Sequence, residues 1–150
     1  GTRYAPRLLY AVKHAGVERA FRIQAPIELQ VPVKDARNWQ TVLDGMDRVV
    51  NGLRGTARNV AVDAHFRTGG KTGTAQVYQL AAGDQADDDE VAEHLRDHAW
   101  FVAFAPVEGP RIAIAVVVEH GGAGSTAAAP VARATLDAWL DQEIEQAPQP

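Results

Sequence analysis

Two near-continuous apolar runs, Ala99 to Ala105 (AWFVAFA) and Arg111 to Glu119 (RIAIAVVVE), are separated only by Pro106-Val107-Glu108-Gly109-Pro110. Each run has strand length and is rich in β-branched and aromatic residues, and the joining loop carries turn-forming proline and glycine. Such a pair predicts an antiparallel hairpin. The lack of polar alternation predicts that both of its faces are covered. A parallel sheet would need a much longer crossover between the runs, so this feature alone directs the chain towards antiparallel architecture.

Helices flank that hairpin in the sequence. Trp39, Val42, Leu43, Met46, Val49 and Val50 recur at i, i+3, i+4, i+7, i+10 and i+11, which predicts a helix from about Asp35 or Asn38 to a stop at Asn51-Gly52. Ala128, Val131, Ala132, Thr135, Leu136, Trp139 and Leu140 form a second stripe, with Pro130 tolerated only in the first turn. Trp39, Trp100 and Trp139 are therefore expected in the core. Phe66 to Gln79, within FRTGGKTGTAQVYQL, has no helical period and is expected to be a strand beside the hairpin. Towards the N-terminus, Pro6 to Val12 reads as a short strand, and Val17 to Val33, with Pro26 and Pro32, as an extended peripheral segment. The fold class is thus α+β, an antiparallel sheet with packed helices.

Composition narrows the function. The 150 residues carry 15 basic and 19 acidic side chains, a formal charge of −4, so no nucleic-acid partner is expected. With no cysteine there is no disulfide, thiolate metal site or thiol nucleophile. The longest apolar run, Ile112 to Val118, is far short of the roughly 20 residues a spanning helix requires. The acidic segment 81–93 reads as a solvated loop, without the glycine of a calcium-binding loop. His94 and His98 have the i, i+4 spacing of two ligands on a helix, but the Glu of a zinc-protease motif and a third ligand are both missing, so no metal and no cofactor is expected. His65 and His120 are expected to satisfy local hydrogen bonds.

The sharpest chemical signal is Gly69-Gly70-Lys71-Thr72-Gly73-Thr74-Ala75. Its Gly-Lys-Thr matches the end of a phosphate-binding loop, but position 65, where the leading glycine belongs, is His, and strand rather than helix follows. The other reading is the K-T-G element of serine acyl transferases. There a lysine raises the local potential, threonine hydroxyls can bind a carboxylate, glycine clears room for an extended ligand, and the next backbone N–H can meet an oxyanion.

GGKTGTAQVY, LRDHAWFVAFAP and VVVEHGGAGSTAAAPVAR, in this order, resemble the class B penicillin-binding proteins, and most their elongation-type branch, penicillin-binding protein 2. NWQTVLDGMDRVVNGLRGTAR is similar to the same family's segment upstream of that strand. The resemblance extends over about residues 1 to 140. It implies the penicillin-binding, serine β-lactamase-like transpeptidase fold, in a membrane-anchored D,D-transpeptidase on the periplasmic side of the bacterial inner membrane. Its partners would be the D-Ala-D-Ala stem peptide of peptidoglycan, β-lactams and cell-elongation proteins. By position, Lys71 and Thr74 would be catalytic, Lys71 in the hydrogen-bond network and Thr74 through its backbone N–H in the oxyanion hole. Thr72, Gly73 and Thr74 would bind substrate, the two hydroxyls at the terminal carboxylate.

The family's S-x-x-K and S-x-N motifs are absent. Ser125 is the chain's one serine, and Ala127 and Ala128 stand where Asn or Lys would have to be. The expectation is a C-terminal transpeptidase fragment, residues 1–145 with a frayed tail at 146–150, inactive by itself and prone to self-association. The alternative is a non-catalytic scaffold of the same fold that binds a ligand or partner.

Overall fold

The computed structural model describes residues 2–6, 8–9, 11–12, 14–16, 21–77 and 92–146, with side chains to 142. Most of the acidic segment 81–93 and nearly all of the tail 146–150 lie outside the described residues. The chain divides into two compact units, residues 1–40 and 41–150.

The first unit holds two small antiparallel pairs. Strand β1 (Thr2–Tyr4) pairs with β4 (Ile27–Gln30), and β2 (Ala11–Val12) with β3 (Phe21–Arg22). Among the described residues, the strand expected over Pro6 to Val12 is found at Ala11–Val12, and the proline-bearing stretch 17–33 contributes β3 and β4. Helix α1 (Ala36–Asn51) begins in this unit. Asp35 starts it by accepting the Arg37 N–H on its side chain at 2.9 Å, as a capping carboxylate does.

The second unit is built on a three-stranded antiparallel sheet in the order β5-β6-β7, where β5 is Gly69–Ala75, β6 is His98–Ala105 and β7 is Ile112–Val118. The hairpin is β6–β7, closed by the Arg111 N–H donating to Ala105 O at 2.9 Å. Helix α2 (Ala128–Gln146) packs across β6 and β7, with Pro130 in its first turn.

Small residues set the closeness of that packing. Ala99, Ala103 and Ala105 of β6 meet Ala128, Ala129 and Ala132 of α2, while Phe101, Leu136 and Leu140 fill the remaining space. Burying a side chain such as Phe101 contributes about 1.5–3 kcal/mol. From β7, Ile112, Ile114, Val116 and Val118 pack against the same core.

The expectation that both faces of the hairpin are covered fails among the described residues. Trp100 is 42% exposed, Val102 40% and Val117 46%, all on the face away from α2. The runs look continuously apolar because this outer face is apolar as well as the one against α2. Trp39 is likewise exposed and Trp139 only half-buried, so neither they nor Trp100 are enclosed core residues. In the α2 stripe, Val131 and Thr135 are exposed and the buried line runs through 128, 132, 136 and 140.

The segment expected as strand from Phe66 begins pairing only at Gly69. Phe66 instead packs against the core under the Arg133 guanidinium, and Arg67 pairs with Asp47 at 2.7 Å. No helix among the described residues is long and apolar enough to cross a membrane.

Candidate functional site

Strand β5 is an edge strand among the described residues, paired on one side only, with β6. Its register places Lys71 opposite Val102, Thr72 opposite Phe101, Gly73 opposite Trp100 and Thr74 opposite Ala99. Side chains alternate along a strand, so Lys71 and Gly73 leave β5 on the exposed face with Val102 and Trp100, and Thr72 and Thr74 on the opposite one.

Glycine at 69 and 70 is a steric requirement. A Cβ at Gly69 would come 2.5 Å from the Phe104 ring, and one at Gly70 2.6 Å from the Phe101 ring. The two β6 aromatics thus lie against the start of β5 and fix where Lys71 emerges. Further along, Asp97 ties the strand's end: its Oδ1 accepts the Val77 N–H at 3.2 Å, and its backbone oxygen accepts the Gly122 N–H at 2.8 Å.

The four signalled residues come together on one open groove of about 320 Å3, lined by β5 from Lys71 to Ala75 and by Trp100 and Val102. Lys71 Nζ donates to Thr72 O at 2.5 Å, which folds the ammonium back along its own strand. Thr74 is exposed. The arrangement offers a cation and the free backbone edge of a strand beside an apolar indole, with the two threonine hydroxyls on the strand's other face. That suits an extended ligand with an anionic end, held by strand addition. Among the described residues, a larger hollow of about 670 Å3 is lined by the uncharged Tyr4, Gln24, Ala25 and Ile27.

Four further residues take part that motif and spacing do not single out. Trp100 and Val102 line the groove because the hairpin's outer face is open. Gly124 approaches the backbone of Gly73 and Trp100 so closely that no side chain fits between. Thr56 lies with its Oγ1 3.0 Å from Thr72 Oγ1. The Gly-rich turn and the Gly-Thr-Ala segment were the available signals, but a contact across 16 residues has no sequence periodicity to expose it.

The histidines have local partners. His65 Nε2 lies 3.1 Å from Asp141 Oδ1, and His120 Nδ1 3.2 Å from Arg96 O. His94 is in a short 310 turn (Glu93–Leu95) and His98 opens β6, so the i, i+4 pair does not share a helical face. Instead the His120 N–H donates to His98 Nδ1 at 2.9 Å.

Comparison with known proteins accords with this geometry. The family model described as "Penicillin binding protein transpeptidase domain" matches residues 1–137. The peptidoglycan D,D-transpeptidase MrdA of Haemophilus influenzae is 41% identical over 108 residues, 72% of this chain and 17% of that protein. The chain therefore spans only a small part of the curated relative's length. Among solved structures, Pseudomonas aeruginosa PBP2 in complex with WCK 5153 superposes with a TM-score of 0.63 at 42% identity, over 79% of this chain and 23% of that one. Helicobacter pylori PBP2, solved with MreC, gives 0.56 at 31% identity, over 69% and 17%. With its α+β architecture, edge-strand Lys-Thr-Gly-Thr and a family match along nearly all of its length, the chain belongs to the penicillin-binding protein transpeptidase domain family.

Proposed function

We propose that this chain supplies the Lys-Thr-Gly-bearing part of the acyl-transfer site of a peptidoglycan D,D-transpeptidase. The observation that carries the reading is that Lys71 to Thr74 sit on an edge strand along an open groove. A D-Ala-D-Ala stem peptide, or a β-lactam in its place, lies antiparallel or parallel along β5. Thr72 and Thr74 hydroxyls bind the terminal carboxylate, Gly73 leaves the room, and the Thr74 N–H donates to the oxyanion.

In the complete domain a serine oxygen attacks the penultimate D-Ala carbonyl, forming an ester as the amide bond breaks and D-Ala leaves with the proton. An amine of a neighbouring stem peptide then attacks the ester, restoring the serine hydroxyl and forming the cross-link. Lys71 contributes a positive potential to the proton-transfer network. The serine belongs to an S-x-x-K motif that this sequence lacks, so residues 1–145 are read as the C-terminal portion of that domain, without turnover of their own. The activity operates on the periplasmic side of the inner membrane, with the anchor outside these residues. A partner of the MreC type, as seen with the Helicobacter pylori protein, fits this assignment.

Labelled penicillin tests the reading. A longer polypeptide that adds an S-x-x-K segment to this sequence is expected to form a stoichiometric covalent adduct, and Lys71→Ala in it to slow acylation by at least about 100-fold. The 150-residue chain is expected to form none. A stoichiometric adduct on the chain alone overturns the division of labour; failure of the longer protein to react overturns the transpeptidase reading.

Self-association of the isolated chain belongs to the same proposal, because Trp100, Val102 and Val117 leave the outer sheet face apolar and exposed. Sedimentation should show dimers or larger species, and Val117→Lys should shift them to monomer. A wild-type chain that stays monomeric at high concentration overturns it.

A further inference from the structure

Thr56 is outside the groove lining, yet its hydroxyl oxygen is 3.0 Å from that of Thr72. The turn that carries it is constructed with care. The Gly55 N–H donates to Gly52 O at 3.0 Å, and the Ala57 N–H returns to Val49 O of α1 at 3.0 Å. A Cβ at position 55 would fall 2.2 Å from Val49 O, so only glycine lets the chain turn there. Ala57 is fully buried. Beyond it, the short 310 turn Arg58–Ala61 is held from α2 by the Arg133 guanidinium, which donates to Val60 O and, at 2.8 Å, to Val62 O. Asn59 Nδ2 donates to Ser125 O at 2.8 Å. Thr56 is thus delivered to Thr72 by a segment anchored on both sides, which is what a supporting residue needs to hold another in place.

Proton arithmetic gives the contact a direction. A hydroxyl has one proton and two lone pairs, so in a pair of hydroxyls only one donates to the other. If Thr72 donated to Thr56, its oxygen would meet a ligand at the strand's edge with lone pairs alone and would repel an anion. If Thr56 donates to Thr72, the Thr72 proton is free to point outwards. An anion beside Thr72 selects the second arrangement, since it completes a chain from Thr56 through Thr72 to the anion in which each hydrogen bond polarises the next.

We infer that Thr56 is a positioning residue for the anionic end of the ligand: its hydroxyl donates to Thr72 Oγ1 and leaves the Thr72 proton for a ligand at the edge of β5. This rests on the proposed meeting of Thr72 with a carboxylate. Thr56 then sets the preference for an anionic over a neutral ligand without touching either one. A neutral ester accepts from Thr72 in the same arrangement but more weakly than a carboxylate, so it gains less from Thr56.

The test compares benzylpenicillin with its methyl ester in the full-length protein carrying this sequence. The second-order acylation rate is read by mass spectrometry of the adduct for wild type, Thr56→Val, Thr56→Ser and Thr72→Val. Thr56→Val keeps the shape and removes the proton, and is expected to lower the acid-to-ester rate ratio by about three- to tenfold, the size of one neutral hydrogen bond. Thr56→Ser restores the proton and should restore the ratio. Equal loss of both rates in Thr56→Val, or an unchanged ratio, overturns the inference. If Thr72→Val lowers the ratio and Thr56→Val does not, only the Thr56 inference falls. If Thr72→Val also leaves the ratio at the wild-type value, the carboxylate reading of Thr72 is wrong and the inference falls with it. Melting temperatures within a few degrees of wild type show that the variants are folded.

Discussion

Gly124 lies against Gly73 with no room for a methyl group: a Cβ at 124 would be 2.7 Å from Gly73 O and 2.2 Å from Trp100 O. The turn leading into α2 therefore rests directly on the backbone of the Lys-Thr-Gly strand and its neighbour. Gly124→Ala must move backbone rather than a flexible side-chain end, and overpacking of this kind costs about 1–3 kcal/mol. A Cβ at Gly73 would meet the Trp100 Cβ at 3.3 Å, a contact that a few tenths of an ångström would relieve. Urea unfolding is expected to place Gly124→Ala well below Gly73→Ala, and the reverse order would mean that the turn yields more easily than the strand.

Arg133 joins α2 to the segment that carries Thr56. Its Nε meets both Asp137 oxygens at 2.7 Å while the rest of the fork reaches Val60 O, Val62 O and Asp63 O. Lysine cannot present donors in two directions at once. Arg133→Lys is therefore expected to lose about 1–3 kcal/mol in chemical denaturation, nearly as much as Arg133→Ala, because carbonyls around the buried Val60 lose their donor. Full rescue by lysine would show that charge alone is what matters there.

Helical periodicity makes both helices legible, while the hairpin and the Lys-Thr-Gly strand are legible from β-branched and aromatic residues and from the proline and glycine that bound them. The open outer face of the hairpin is not, since Trp100 and Val102 are apolar whether or not anything covers them. Phe66 was read into the strand by its residue type, whereas contact with the core and Arg133 decides its place. Lys71 to Thr74 were found through a motif of consecutive residues. Thr56 and Gly124 depend on distant segments meeting, and only three-dimensional packing brings them to Thr72 and Gly73.

The start of α1 should show a defined acid dependence. The Arg37 guanidinium and the Arg37 backbone N–H, both bonded to Asp35, hold its carboxyl below the usual carboxylate range. A folded-state value lowered in this way adds stability above the unfolded value, about 3.9, which is lost as pH falls through the folded one. Asp35→Asn should thus melt slightly below wild type at pH 7, and the gap should close as the pH drops below the ordinary carboxylate range. A gap that stays constant down to strongly acidic pH would assign the difference to capping geometry rather than charge.

Asp97 offers the last measurement, local to the end of β5. It accepts the Val77 N–H on its side chain and the Gly122 N–H on its backbone, so one residue links the far end of the Lys-Thr-Gly strand to the glycine turn. Asp97→Ala removes only the first bond. Because Val77 is exposed, this loss is expected to cost no more than about 1 kcal/mol globally while raising amide exchange at Val77 about tenfold. Asp97→Asn keeps an acceptor oxygen at the same place and should leave that exchange close to wild type. If Asp97→Ala instead accelerated exchange evenly from Gly69 to Ala75, the strand would be opening as a whole. Its position would then depend on Asp97 rather than on the Phe101 and Phe104 rings that pack against its beginning.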